Sequence, residues 1–360
     1  MQTTNNQTIV SIQLMRAVAA LSVVYVHCAA NVCGLPQAGA FGVDIFFVIS
    51  GFVIAYVVSH GGDNKEFLVK RFIRIEPTYL LTTVTVILAT IYFPAAIKTT
   101  KISFLGFIKS LLFIPDSENM GRPILPQGWS LNYEMFFYVV MYLCVLFVKN
   151  KRYLTLACAS TLVAFSIARS FCNTKSFILN YYDASLLFEF IYGIALYHVY
   201  AALLKKHKLG ITVNCSVKTI ILTTLALLSY GFLFYCEVGR RLWSLSRGIS
   251  IGIPALVLVS AVLFLEEEIY RNHNRILQLF VECGEASYVI YLIHYHIVAF
   301  LTRTVFDRVL GTDCEIIYES VKVIIIFSLT ITAGILIHRF IDMPIQRYLK
   351  KALIKKAGCK

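Results

Sequence analysis

Ten stretches of about 20 mostly apolar residues follow one another along this chain, and they constrain its fold more than any other feature. A helix of this length crosses the hydrocarbon layer of a bilayer, where each backbone polar group needs a partner within the protein. The pattern predicts an all-α, polytopic integral membrane bundle of about ten transmembrane helices. The predicted spans lie near residues 10–33, 40–60, 76–95, 128–148, 153–171, 185–204, 217–236, 247–265, 286–306 and 320–340.

Composition agrees with lipid as the surrounding solvent. Apolar residues make up 58% of the chain and charged residues only 15%, against about 45–50% and about 25% in soluble domains. The net charge of +13 comes from Lys and Arg in short runs between the apolar stretches. That distribution is typical of membrane topology signals, so we expect the bilayer as a partner and no nucleic acid.

The basic loops also predict an orientation. Most Lys and Arg lie after the second, fourth, sixth and eighth spans and in the C-terminal tail, so both termini are expected in the cytoplasm. The N-terminus lacks the basic region of a signal peptide, so the first span is expected to be retained. We expect one transmembrane domain over 1–360, without a soluble C-terminal domain. Residues 103–114 and 275–283 are too short to cross and predict short surface or re-entrant helices.

Cysteine spacing indicates no metal site. The chain has ten cysteines but no CxxC pair, and a free Cys within a span behaves as a small apolar residue. We therefore expect neither a disulfide framework nor a metal cofactor.

Ionisable side chains inside predicted spans are the default functional candidates, because lipid makes them costly. Arg16 and His27 stand 11 residues apart, which places them about 20° from alignment on one helix face, with about 16 Å of rise between them. One face carrying both side chains suits the lining of a cavity. The alternative is that Arg16 reaches the interface and His27 bonds a neighbouring helix. The candidates within spans are Arg16, His27, Asp44, Glu134, Arg169, Glu189 and His294.

Six segments, in order along the chain, carry a resemblance to membrane acyltransferase family 3. The segments are RAVAALSVVYVH (16–27), GVDIFFVISGFVI (42–54), KRFIRIEPTY (70–79), LPQGWSLNYEMFFY (125–138), SYVIYLIH (287–294) and IDMPIQR (341–347). The last departs from the family pattern because Asp342 replaces its Glu.

The resemblance implies O-acetylation of exopolysaccharide, lipopolysaccharide or a related envelope sugar, with acetyl-CoA as the donor co-substrate. It makes His27 the candidate general base, since imidazole titrates near neutral pH. Arg16 could bind the donor or orient catalytic groups. Glu134 could line the site or orient His27 through its other ring nitrogen.

Further site residues follow from the same motifs. Arg71 and Arg74 are spaced i, i+3, and on a short helix at the cytoplasmic mouth they could bind the CoA phosphates; they could also only anchor the topology. Ser287, Tyr291 and His294 form one helical stripe and, with Trp129, are candidate substrate contacts. The stripe could equally be a polar packing seam.

Other assignments stay open. Asp44 and Glu189 are expected as structural partners of Arg16 or Arg169. A multi-spanning transporter or flippase of a sugar or lipid-linked intermediate is the alternative function, because it also explains buried charges. The expected location is the bacterial inner membrane. The sequence specifies neither the acceptor sugar nor the oligomeric state.

Overall fold

The structure, a computed structural model, describes residues 9–30, 32, 34–60, 66–93, 101–171, 176–207, 215–239, 246–272, 274–306 and 316–357. These residues form helices and turns without any strand, which confirms the all-α prediction. The α-helices, in chain order, are α1 Val10–Cys28, α2 Gly42–His60, α3 Phe67–Tyr92, α4 Phe104–Leu111, α5 Trp129–Phe147, α6 Lys151–Phe171, α7 Phe177–Tyr181, α8 Ala184–His207, α9 Cys215–Gly239, α10 Ile253–Phe264, α11 Glu266–Arg271, α12 Arg275–Glu285, α13 Ser287–Leu301, α14 Ile316–Ile337 and α15 Met343–Ala357.

Eight helical segments among the described residues are long and apolar enough to cross a membrane. They contain α1, α2, α3, α5, α8, α9, α13, and α14 joined to α15 through a π-helical turn. The two other predicted spans are also helical. Residues 153–171 lie within α6, which is less apolar, and 247–265 correspond to the shorter apolar helix Gly248–Phe264.

The third span begins earlier than predicted. Helix α3 starts at Phe67 and continues through Pro77 without a break, whereas the sequence placed a short helix before a span at 76–95. Apolar residues in the segment before Pro77 recur at helical spacing and stay in register with the span, and Pro77 removes only one backbone hydrogen bond. Arg71 and Arg74 are therefore part of the spanning helix itself.

Helices α2 and α8 cross in close contact, and two glycines make this possible. A Cβ at Gly51 would lie 2.1 Å from the carbonyl oxygen of Phe190, and a Cβ at Gly193 would lie 2.1 Å from that of Val48. Small residues let membrane helices approach each other in this way. The crossing fixes α2, which forms one wall of the cavity described below.

Both predicted short helices are present as α4 and α12. Each begins at a side-chain cap, Ser103 for α4 and Asn274 for α12. Helix α4 folds back onto α3, where the hydroxyl groups of Ser110 and Tyr79 are hydrogen-bonded at 2.8 Å. Helix α12 packs on the start of α1 and leads directly into α13.

Candidate active site

A cavity of about 370 Å³ lies inside the bundle between α1, α2, α3, α5 and α13. Its volume is within the usual range for small-molecule sites. One wall is the largely apolar face of α2 from Val43 to Val57, and the opposite side carries polar groups. The charged side chains that line it are Arg16, Arg71, Arg74 and Glu134.

The cavity has an excess of positive charge. No salt bridge joins Arg16, Arg71 or Arg74 to a carboxylate among the residues that the structure describes. The guanidinium of Arg71 lies 5.6 Å from the ring centroid of Tyr138 and 5.9 Å from that of Phe67, so two aromatic faces hold it in place. Three cations line the cavity with a single carboxylate, Glu134, and such a lining suits an anionic ligand.

Glu134 lines this cavity but does not orient His27. Its Oε1 accepts hydrogen bonds from Ser50, at 3.0 Å, and from Tyr138 one turn later on α5. The Nδ1 of His27 bonds instead to the carbonyl of Val23 on its own helix, at 2.8 Å. Of the two alternatives predicted for Glu134, the described side chains agree with a place in the cavity lining and not with a contact to His27. Ser50 and Tyr138 are the partners that the sequence did not indicate.

Tyr291 closes the cavity along α13. Its hydroxyl donates to the carbonyl of Gln127 at 2.9 Å and is hydrogen-bonded to Ser130 at 2.8 Å. Phe46 of α2 packs edge-on against its ring, with 6.0 Å between centroids. Ser287 lines the cavity one turn before Tyr291, and its buried hydroxyl has no hydrogen-bond partner among the described atoms.

His27 and His294 meet beyond Tyr291. The lining residues end at Arg16 on α1 and at Tyr291 on α13, and the two histidines lie further along these helices. Their ring centroids are 4.7 Å apart, and those of Tyr291 and His294 are 5.5 Å apart. His27 is partly exposed whereas His294 is fully buried. The cavity-facing position predicted for Arg16 is confirmed, but His27 does not line the cavity.

Trp129 does not line the cavity either. It begins α5, is half-buried, and packs edge-on against Tyr133 with 6.0 Å between ring centroids. Its backbone carbonyl accepts a hydrogen bond from Tyr181 at 3.2 Å. Together with α7 these rings form an aromatic layer at the start of α5.

Asp44 pairs with an arginine that the sequence did not single out. Arg247 donates to both of its carboxylate oxygens, at 2.8 and 2.6 Å, although Arg16 or Arg169 was the expected partner. Arg169 donates instead to the carbonyl of Asn180. Glu189 is fully buried beside Asp44. The pairing predictions for Asp44 and Glu189 were wrong because the helix neighbours come from packing, which sequence spacing does not encode.

The chain has relatives among known proteins. Residues 9–339 match the profile of the family described as acyltransferase domain. The exopolysaccharide production protein ExoZ of Rhizobium meliloti is 32% identical over 270 residues, which are 71% of this chain and 75% of that protein. The peptidoglycan O-acetyltransferase OatA of Listeria monocytogenes is 29% identical over 145 residues, 36% of this chain and 23% of that protein. No solved structure matches the chain.

Proposed function

We propose that this chain, which belongs to the acyltransferase domain family, moves an acetyl group from cytoplasmic acyl-CoA to a hydroxyl of an envelope sugar or polysaccharide. ExoZ is named for exopolysaccharide production and OatA for peptidoglycan O-acetylation. Both names point to a cell-envelope carbohydrate acceptor. The helices make the chain a multi-pass membrane protein, and we place it in the bacterial inner membrane with both termini in the cytoplasm.

One observation carries the proposal: a cavity within a membrane bundle holds three guanidinium groups, and no carboxylate of the described residues is in ion-pair contact with them. Unpaired cations inside a bundle are costly and need a function. CoA carries phosphates, and Arg binds phosphate with two parallel hydrogen bonds. We assign Arg71 and Arg74 to these phosphates and Arg16 to the donor further along the same wall.

The cavity also suits the remainder of the donor. A pantetheine arm is long and thin with two amides, and it can lie against the apolar face of α2 while its polar groups meet Ser287 and Glu134. The thioester then points towards Tyr291, whose side chain separates the cavity from the histidines. Rotation of Tyr291 away from Ser130 joins the two compartments.

His27 is assigned as the general base. Its Nδ1 donates to the carbonyl of Val23, which can only accept, so the lone pair of the neutral ring is on Nε2. Nε2 takes the proton of the acceptor hydroxyl as that oxygen attacks the thioester carbonyl carbon. The carbon–sulfur bond breaks, and CoA leaves with a proton. Trp129, in its aromatic layer, is assigned to stacking against the sugar acceptor.

The alternative function, transport or flipping of a sugar or lipid-linked intermediate, would use the same cavity. A neutral sugar does not explain why the cavity concentrates cations, because it needs hydrogen-bonding groups rather than charge, whereas the phosphate of a lipid-linked intermediate would use them. Family membership therefore decides in favour of the enzyme.

The test uses the full chain purified into lipid nanodiscs, with acetyl-CoA and oligosaccharides cut from an envelope polysaccharide. The free thiol of CoA and the mass of the acetylated sugar are both measured. We expect ester formation by the wild type and its loss, at least about 100-fold, in His27→Ala. His198→Ala is the matched control, because His198 bonds only Thr155 in the described structure, at 2.9 Å. Equal activity in His27→Ala and His198→Ala would refute the assignment of the base.

A further inference from the structure

The buried imidazole of His294 is oriented by its backbone. Its Nδ1 lies 2.5 Å from the carbonyl oxygen of Tyr291, which can only accept, so Nδ1 carries the hydrogen and Nε2 the lone pair of the neutral ring. His27 is held in the same way by Val23. The two neighbouring rings thus share one tautomer, and each keeps Nε2 available to accept a proton.

No described atom satisfies the Nε2 of His294, although the side chain is fully buried. A buried acceptor without a partner is destabilising, and an apolar side chain of similar size would pack there without that cost. The unpaired acceptor leaves Nε2 of His294 able to receive a proton, and the neighbours of the ring decide which group supplies it.

The position of His294 identifies the source and the destination of that proton. Its ring lies between His27, 4.7 Å away between centroids, and Tyr291, 5.5 Å away, which borders the cavity. His27 is partly exposed and faces the acceptor in the proposed reaction. The donor sulfur is on the other side, within the cavity. The ring of His294 thus lies between His27, which takes the proton of the acceptor hydroxyl, and the donor sulfur, which needs a proton when it leaves.

We propose that His294 is the proton relay between His27 and the donor cavity; this inference rests on the proposed function. His27 Nε2 takes the hydroxyl proton while the carbon–sulfur bond breaks and leaves a CoA thiolate. The proton then passes from His27 Nε2 to His294 Nε2 and on to the sulfur, by ring rotation or through one water molecule. Both imidazoles return to their neutral form, and the products are the ester and CoA with a free thiol.

The first test compares His294→Gln with His296→Gln in nanodiscs. His296 is on the same helix and is also buried, but among the described residues its ring packs against Tyr295, does not contact the ring of His27 and does not line the cavity. We expect kcat to fall about 100-fold in His294→Gln, with an unchanged KM for acetyl-CoA. His296→Gln should keep wild-type kcat, so a difference between the variants is not a general effect of removing a buried histidine.

The second test is decided by the wild type alone. Its rate is measured in mixtures of light and heavy water, and a relay that moves more than one proton in the limiting step gives a rate with a curved dependence on the deuterium fraction. Where His294→Gln folds, its rate should depend linearly on the deuterium fraction.

The outcomes separate the relay from the transfer reaction. A wild type that acetylates no sugar overturns the proposed function and the relay with it. An active wild type with a linear deuterium dependence, or with kcat of His294→Gln within twofold of His296→Gln, overturns the relay alone. If His294→Gln does not fold, the curvature in the wild type decides.

Discussion

Replacing Arg71 and Arg74 by Gln should weaken donor binding without weakening the fold. Each guanidinium–phosphate hydrogen bond contributes about 1.5–3 kcal/mol, which corresponds to about 10- to 150-fold in affinity. Because the two side chains lie close together and are both assigned to one ligand, we do not expect their contributions to add fully. We therefore expect the KM for acetyl-CoA to rise about 100-fold in the double variant, with kcat within a few-fold of the wild type.

The structure also predicts the effect on stability. Arg16, Arg71 and Arg74 are close enough to interact electrostatically as like charges, and none is in a described salt bridge. Removing two of them relieves repulsion, so the thermal unfolding temperature of the empty protein should stay the same or rise. Bound acetyl-CoA should raise it in the wild type and much less in the double variant.

The assay follows initial rates against acetyl-CoA concentration in nanodiscs, with Arg152→Gln as the control. Arg152 is exposed at the start of α6 and does not border the cavity. Arg71→Lys tests the hydrogen-bond geometry separately from the charge, because lysine keeps the positive charge but lacks the planar guanidinium group that pairs with a phosphate. An unchanged KM together with reduced protein in the membrane would refute donor binding and support the view that these arginines only anchor the topology.

Two further predictions concern the scaffold, and both are measured by thermal unfolding of the purified protein. Arg247→Met leaves Asp44 buried without its partner and should cost about 3–5 kcal/mol; Asp44→Asn in the same chain should restore part of this, and no restoration would contradict the pairing. Gly193→Val places a side chain against the carbonyl of Val48 and should lower the free energy of unfolding by about 1–3 kcal/mol. Gly231→Val, where an added Cβ has nothing within 4 Å, should lower it less. Equal losses of stability in the two variants would contradict the close crossing of α2 and α8.

The sequence predicted the helices well because lipid imposes a strong and local requirement. A spanning segment needs about 20 apolar residues whatever its neighbours are, so each span can be found separately. The spacing of Arg71 and Arg74 likewise predicted that they share a face, and both line the cavity. The early start of α3 was missed because basic residues before Pro77 resemble a loop.

Contacts between helices could not be predicted in this way. Asp44 and Arg247 are separated by 203 residues. Other arginines lie shortly before Arg247 in the sequence, and nothing in the sequence selects one of them as the partner of Asp44. The 11-residue spacing of Arg16 and His27 correctly placed the first in a cavity, but it could not show where that cavity ends. Tyr291, which is distant in sequence, borders the cavity at the end nearest His27, so the cavity does not reach that histidine.

The most direct test of the account is an electron cryomicroscopy structure of the protein in nanodiscs with a non-hydrolysable acetyl-CoA analogue. We predict the phosphates of the analogue beside Arg71 and Arg74, its pantetheine arm along α2, and its acetyl end at Tyr291 in the direction of His27 and His294. An analogue bound on the outer surface of the bundle, with the cavity occupied by lipid, would contradict the account.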